Sequence, residues 1–134
     1  EIRGGGSRRH PNFETTCAED NLFHMEGPEV FKMAMQYAPP FLERLLPDFQ
    51  SQLPTLKAVV PHQASKLALD SHYFLGMTEE QVVRTLHKYG NCVAASIPIT
   101  LYEAVKTGRV DRGDKVLLLG TGAGLSLGGL VLTY

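Results

Sequence analysis

The sequence predicts an α/β fold: a mixed sheet packed with helices and ending in an antiparallel strand pair. Three observations carry this. Short apolar runs at 56–60 and 115–119 read as strands, the second in the pattern of a strand buried on both faces. Between them lie segments whose apolar residues recur at helical spacing. After the second run, a glycine turn leads directly into a further strand-like stretch, 125–134. Strands separated by so few residues cannot be joined by a parallel crossover, so the last two are expected to form a hairpin.

At 134 residues the chain has the length of one domain, 1–134, able to bury a real core. Hydrophobic residues at 43% and charged residues at 20% exclude a disordered or collagen-like chain. A formal net charge of −1 gives no sequence-wide attraction to nucleic acid or to an anionic membrane, and neither is expected as a partner. The small basic cluster Arg8, Arg9 and His10 reads as solvated loop. Two cysteines, Cys17 and Cys92, make no disulfide framework, and no apolar run is long enough to cross a bilayer. Together these point to a reducing, cytoplasmic setting. The start at Glu1-Ile2-Arg3 lacks a methionine, so residues 1–20 are read as a loop or a truncated first strand.

In chain order, residues 4–22 are glycine-rich and polar without clean periodicity, the pattern of a long loop. Pro28 suits the first position of a helix carrying Val30, Phe31, Ala34, Tyr37 and Ala38, which Pro39-Pro40 is expected to stop. A second helix with Phe41, Leu42, Leu45 and Leu46 on one face is shortened or kinked at Pro47. The strand to Val60 delivers His62 into a helix with Ala64, Leu67 and Ala68 inward and Gly76 as its C-terminal cap. Thr78-Glu79-Glu80-Gln81 has the form of a capping box, with Met77 and Val82 as hydrophobic staple, and predicts a helix to about His87. Gly90 suits a tight turn. A buried helix from Ala94 follows, with Ser96 as one candidate N-cap and Pro98 in its first turn, ending near Gly108.

Chemistry in open α/β sheets collects at the carboxyl ends of strands, so the turns at 59–65, 89–96 and 120–124 are expected to meet at one site. A nucleotide reading of the glycine turn fails on spacing, since glycines at 120, 122, 124, 128 and 129 fit neither dinucleotide nor P-loop patterns and no helix follows. The turn could instead bring backbone N–H groups to a reacting carbonyl. The histidines at 10, 24, 62, 72 and 87 show no zinc spacing, so no metal is expected, and His72 and His87 read as surface or half-buried residues. Taken singly, His62 could simply bond a loop carbonyl, and an asparagine after a glycine, such as Asn91, is a common turn residue or cap.

Taken together, His62-Gln63-Ala64-Ser65, Gly90-Asn91-Cys92-Val93-Ala94-Ala95-Ser96-Ile97-Pro98 and Gly122-Ala123-Gly124-Leu125-Ser126 resemble the C-terminal half of 3-oxoacyl-acyl-carrier-protein synthase III. Met25-Glu26-Gly27 with Val30-Phe31-Lys32 resembles the segment that precedes these motifs. The resemblance implies a thiolase-like half and a Cys-His-Asn triad whose cysteine comes from the other, N-terminal half. It implies decarboxylative condensation of an acyl thioester with malonyl-acyl-carrier protein, in fatty acid or polyketide synthesis. On it, His62 and Asn91 are the catalytic pair, the backbone at Gly122, Ala123 and Gly124 the oxyanion turn, and Ser65 and Lys66 the substrate-binding positions. No cofactor is implied beyond a coenzyme A or carrier-protein thioester as substrate. The partners are the missing half, the carrier and further copies in a homo-oligomer. The competing reading is a non-catalytic thiolase-fold module that binds an acyl carrier or a partner synthase. Departures from the family pattern fall around the pair: Ser65 for asparagine, Leu67 for arginine, Cys92-Val93 for threonine-serine, Ala123 for glycine and Thr121 for phenylalanine. Neither Cys17 nor Cys92 is expected to be a nucleophile.

Overall fold

The computed structural model describes residues 16–122 and 124–134; the basic cluster at 8–10 and the predicted donor Ala123 lie outside them. Its sheet has the order β1 (Ala58–Pro61), β2 (Lys115–Gly122), β3 (Ser126–Thr133), with β1 parallel to β2 and β2 antiparallel to β3. The terminal hairpin is therefore present. β2 runs beyond Leu119, so that Gly120 pairs with Gly128, Thr121 with Leu127 and Gly122 with Ser126. The expected turn at 120–124 thus narrows to the residues after Gly122, because these glycines take up ladder hydrogen bonds instead.

The helices are α1 (Gly27–Leu45), α2 (Phe49–Gln52), α3 (Lys66–Asp70), α4 (Leu86–Tyr89) and α5 (Ser96–Lys106). Alternation along the strands divides the core into two layers. Val59, Leu117, Leu119 and Val131 pack with Leu42, Phe41 and Leu45 of α1, and Ala58, Val60, Val116, Leu118 and Leu132 pack with Ile97, Leu101 and Ala104 of α5. All four residues of β1 are buried, which is why the strand reads as an unbroken apolar run.

α1 is one helix where two were expected, for it continues through Pro39 and Pro40. Each proline removes a donor to the preceding turn. Both prolines are exposed, however, while the inward stripe Phe31, Ala34, Met35, Ala38, Phe41, Leu42 and Leu45 keeps its helical spacing across them. Packing on both sides of the break holds the helix in register, and Tyr37, expected on the inner face, is 48% exposed. The chain leaves α1 before Pro47, and the Glu43 carboxylate accepts the N–H groups of Asp48 at 2.7 Å and Phe49 at 3.1 Å. α1 lies on β3 where a Cβ at Gly129 would stand 2.5 Å from Leu45 Cδ2 and 3.2 Å from the Phe41 ring.

α3 begins one residue after Ser65, whose hydroxyl caps it by accepting the Ala68 N–H at 3.1 Å. This phase turns Leu69 inward (2% exposed) and leaves Leu67, expected inside, 63% exposed. A 3₁₀ turn, Ser71–Leu75, follows and ends at Gly76 with φ 84°, as expected of a C-terminal cap.

The capping box at Thr78 forms, with the Gln81 side chain accepting the Thr78 N–H at 3.2 Å and Thr78 Oγ1 accepting the Gln81 N–H at 3.3 Å. The helix it predicts does not. Val82 and Val83 instead extend alongside β1, the Val59 N–H donating to Gln81 O at 2.8 Å and the Val83 N–H to Val59 O at 2.9 Å. The two β-branched residues are 2% and 4% exposed there, and burying them against the strand outweighs the local helix signal. Only the single turn of α4 survives of that helix. Ser96 proves to be the first residue of α5, with Ala95 at the N-cap, and its hydroxyl accepts the Cys92 N–H at 3.1 Å.

Candidate active site

β1 ends at Pro61, and the His62 N–H donates to Leu119 O at 2.7 Å. The imidazole is thereby fixed at the carboxyl end of two parallel strands, half-buried in the wall of a cavity of about 110 Å³. α1 covers this cavity with Phe31, Ala34 and Met35, and the hairpin contributes Gly120 and Thr121. Burial in this apolar setting pushes the His62 pKa below its ordinary 6.5, which keeps the ring neutral at pH 7. His72, read from sequence as a bystander, stands in the same wall with its Nδ1 3.1 Å from Leu69 O, and its pKa is likewise lowered, chiefly by burial.

Asn91 lies after α4 and Gly90, whose φ of 68° is one that glycine adopts readily. Its Nδ2 donates to Ala64 O at 3.4 Å, two residues beyond His62, and its Oδ1 accepts the Val93 N–H at 2.9 Å. The structure thus ties the asparagine turn to the histidine loop, although Asn91 is exposed and does not line the cavity. Val93 takes φ 52° and is 74% exposed. α4 is clamped to α5 through Glu103, whose carboxylate accepts from Lys88 Nζ at 2.8 Å and Tyr89 Oη at 2.7 Å. The Cys92 thiol is half-buried and donates to Tyr89 O at 3.3 Å.

The other predicted residues divide. Gly122 closes β2 and Gly124 has φ 125°, but neither lines the His62 cavity. The Ser65 hydroxyl caps α3, and Lys66, 84% exposed, pairs with Asp70 at 2.6 Å. A larger open concavity of about 870 Å³ lies at the opposite ends of the strands, beside Lys57 and Lys115, and holds none of the predicted site residues. Among the described residues, no group of three or more His, Cys, Asp or Glu is placed to hold a metal ion, and no helix is long and apolar enough to cross a membrane.

One residue of the histidine motif received no role from sequence reasoning. Gln63 is 1% exposed and fully engaged: its Nε2 donates to Pro61 O at 2.9 Å and Val83 O at 3.2 Å, and its Oε1 accepts the N–H groups of Thr85 at 2.9 Å and Leu86 at 3.0 Å. The available signal was an uncharged polar residue two positions beyond a strand with no exposed face.

A family profile described as 3-Oxoacyl-[acyl-carrier-protein (ACP)] synthase III C terminal matches residues 50–134. A beta-ketoacyl-[acyl-carrier-protein] synthase III of Symbiobacterium thermophilum is 39% identical over 97% of this chain and 40% of its own length. The crystal structure of 3-oxoacyl-[acyl-carrier-protein] synthase III from Aquifex aeolicus superposes with a TM-score of 0.78 at 36% identity, covering 85% of this chain and 37% of that one. The Pseudomonas aeruginosa 3-oxoacyl-(acyl carrier protein) synthase III gives 0.77 at 33% identity, over 89% and 38%. The chain therefore spans about 40% of the length of the curated relatives it matches. The hairpin, the two-layer packing and the profile agree: this chain belongs to the 3-oxoacyl-acyl-carrier-protein synthase III family, as its C-terminal, thiolase-like half.

Proposed function

We propose that this chain is the His/Asn-bearing half of a cytoplasmic, homo-oligomeric condensing enzyme that joins an acyl thioester to malonyl-acyl-carrier protein once a cysteine-bearing half completes it. The observation that carries the reading is His62, held by main-chain bonding at the carboxyl end of β1 and β2, where burial favours its neutral form. Decarboxylation of a malonyl thioester breaks the bond to the carboxylate, releases carbon dioxide and leaves an enolate with its charge on the thioester oxygen. Two neutral donors, His62 and Asn91, are suited to that oxygen, and donors that strengthen only as charge develops lower the barrier. The enolate carbon then attacks the acyl group carried by the cysteine. The tetrahedral oxyanion takes backbone N–H donors from the turn that follows Gly122, and collapse expels the thiolate. Ser65 and Lys66 border the approach of the thioester arm. Val93, Tyr102 and Leu130 are 74%, 60% and 53% exposed, apolar surface of the kind that the other half would cover.

The test separates half-reactions in the completed enzyme. His62→Ala and Asn91→Ala should each spare acyl transfer to the cysteine while lowering malonyl decarboxylation on the order of 10²–10³-fold, the scale for losing one such donor. The chain alone should not condense. Acyl-enzyme mass spectrometry beside a decarboxylation assay reads both, and intact decarboxylation in both variants would rule the roles out.

A further inference from the structure

We propose that Gln63 is a positioning residue that sets the placement of Asn91 relative to His62. The proposal rests on the reading of those two side chains as the enolate donors. A glutamine amide offers two donors and an oxygen with two lone pairs, and here all are used. One end of this network is Pro61, the residue before His62. The other is the segment Val83, Thr85 and Leu86, and Leu86 is the first residue of the single turn that leads to Asn91. A slide of that segment along β1 breaks at least two of the four bonds and leaves buried polar atoms unpaired, a costly state. The segment is also pinned to α5, by Thr85 Oγ1 and Thr100 Oγ1 at 2.6 Å and by Glu103 on Lys88 and Tyr89. The chain from Gln63 to Asn91 is thus held at β1, at α5 and at the Asn91–Ala64 contact; the Gln63 amide ties the segment to the end of β1, and Thr85, Lys88 and Tyr89 tie it to α5.

The experiment compares Gln63→Glu with wild type in the completed enzyme. Glutamate keeps the shape and the acceptor but retains at most one of the two donor bonds. The expected result is malonyl decarboxylation with kcat lowered about 10- to 100-fold, the scale of a displacement of about 1 Å. KM should stay within about twofold and acyl transfer to the cysteine should be retained. Because Gln63 acts through Asn91, the Gln63→Glu/Asn91→Ala double variant should be no slower than Asn91→Ala alone. Unchanged kcat per folded enzyme with only a lowered Tm overturns the proposal, as does a loss that multiplies with that of Asn91→Ala. If Gln63→Glu does not fold, Thr100→Val, which releases the same segment from α5, carries the test: a lower kcat at constant KM supports the proposal and an unchanged kcat overturns it. His62→Ala and Asn91→Ala run alongside. If they leave decarboxylation intact, the donor assignment itself falls and this inference with it. If they suppress it while the Gln63 and Thr100 variants behave as wild type, the positioning role alone falls.

Discussion

Two neighbouring glycines of β3 provide a controlled test of how α1 is seated. Neither has a positive φ, so alanine is sterically allowed by the backbone at both, and each replacement should gain about 0.4–1 kcal/mol by restricting the unfolded chain. Only their surroundings differ. A Cβ at Gly128 meets nothing within 4 Å, whereas one at Gly129 falls 2.5 Å from Leu45 Cδ2 and 3.2 Å from two Phe41 ring atoms. Overpacking costs about 1–3 kcal/mol. The lower part of that range applies here, because Leu45 and Phe41 are half-buried and can turn outward. Gly129→Ala should therefore be less stable than Gly128→Ala by about 1–2 kcal/mol, a difference from which the chain-entropy gain cancels. With an unfolding entropy of about 0.3 kcal/mol/K for this length, the two melting temperatures should differ by roughly 4–7 °C. Denaturant and thermal unfolding of the 134-residue chain measure it. Equal midpoints, or a lower one for Gly128→Ala, would refute the close seating of α1 on β3, and with it the account of how α1 covers His62.

The remaining expectations concern backbone strain and pH. A β-branched residue at φ 52° is disfavoured by about 1–2 kcal/mol, so Val93→Asn, which tolerates that conformation, should raise stability by about 1 kcal/mol in thermal melts; a fall would show that the valine makes a contact worth more than its strain. His62 and His72 both have pKa values lowered by burial, so below about pH 6.5 the unfolded chain binds protons that the folded chain resists, and stability should fall as pH drops from 6.5 toward their folded values. Denaturation midpoints between about pH 7.5 and 5.5 span the ordinary imidazole range and lie above that of free carboxyl groups. His72→Gln should flatten the dependence, and an unchanged slope would exclude His72 as a source.

Much of this architecture can be read from local pattern, and the failures share a cause. The hairpin and α5 are legible because strand length, glycine placement and apolar spacing agree with their tertiary setting. At Pro39-Pro40 and at the Thr78 box the local signal points one way and long-range burial the other. Prolines stop a helix only when nothing holds its two halves in phase, and here one stripe of side chains packs on the sheet across the break. The capping box is real in every hydrogen bond, yet Val82 and Val83 are worth more beside β1 than in a helix. Of the candidate site, the strand-end position of His62 follows from periodicity, and the pairing with Asn91 came only from a family resemblance. The four-bonded amide of Gln63 is invisible in sequence, because its partners are backbone groups up to 23 residues away.

The burial of β1 on both faces also bears on how the strand finds its alignment. Ala58, Val59 and Val60 are all small, apolar and fully buried. A slip of one residue against β2 would exchange one such side chain for another across the sheet, with little change in apolar area removed from water. In a strand with one wet face the alternation of polar and apolar residues would forbid that slip. Here hydrophobicity is nearly silent on the matter, and the choice falls to directional groups at the strand's end. The same three residues that make β1 a secure part of the core are thus poor at specifying its register, and the bond from the His62 N–H to Leu119 O is the directional contact that marks it at the strand's end.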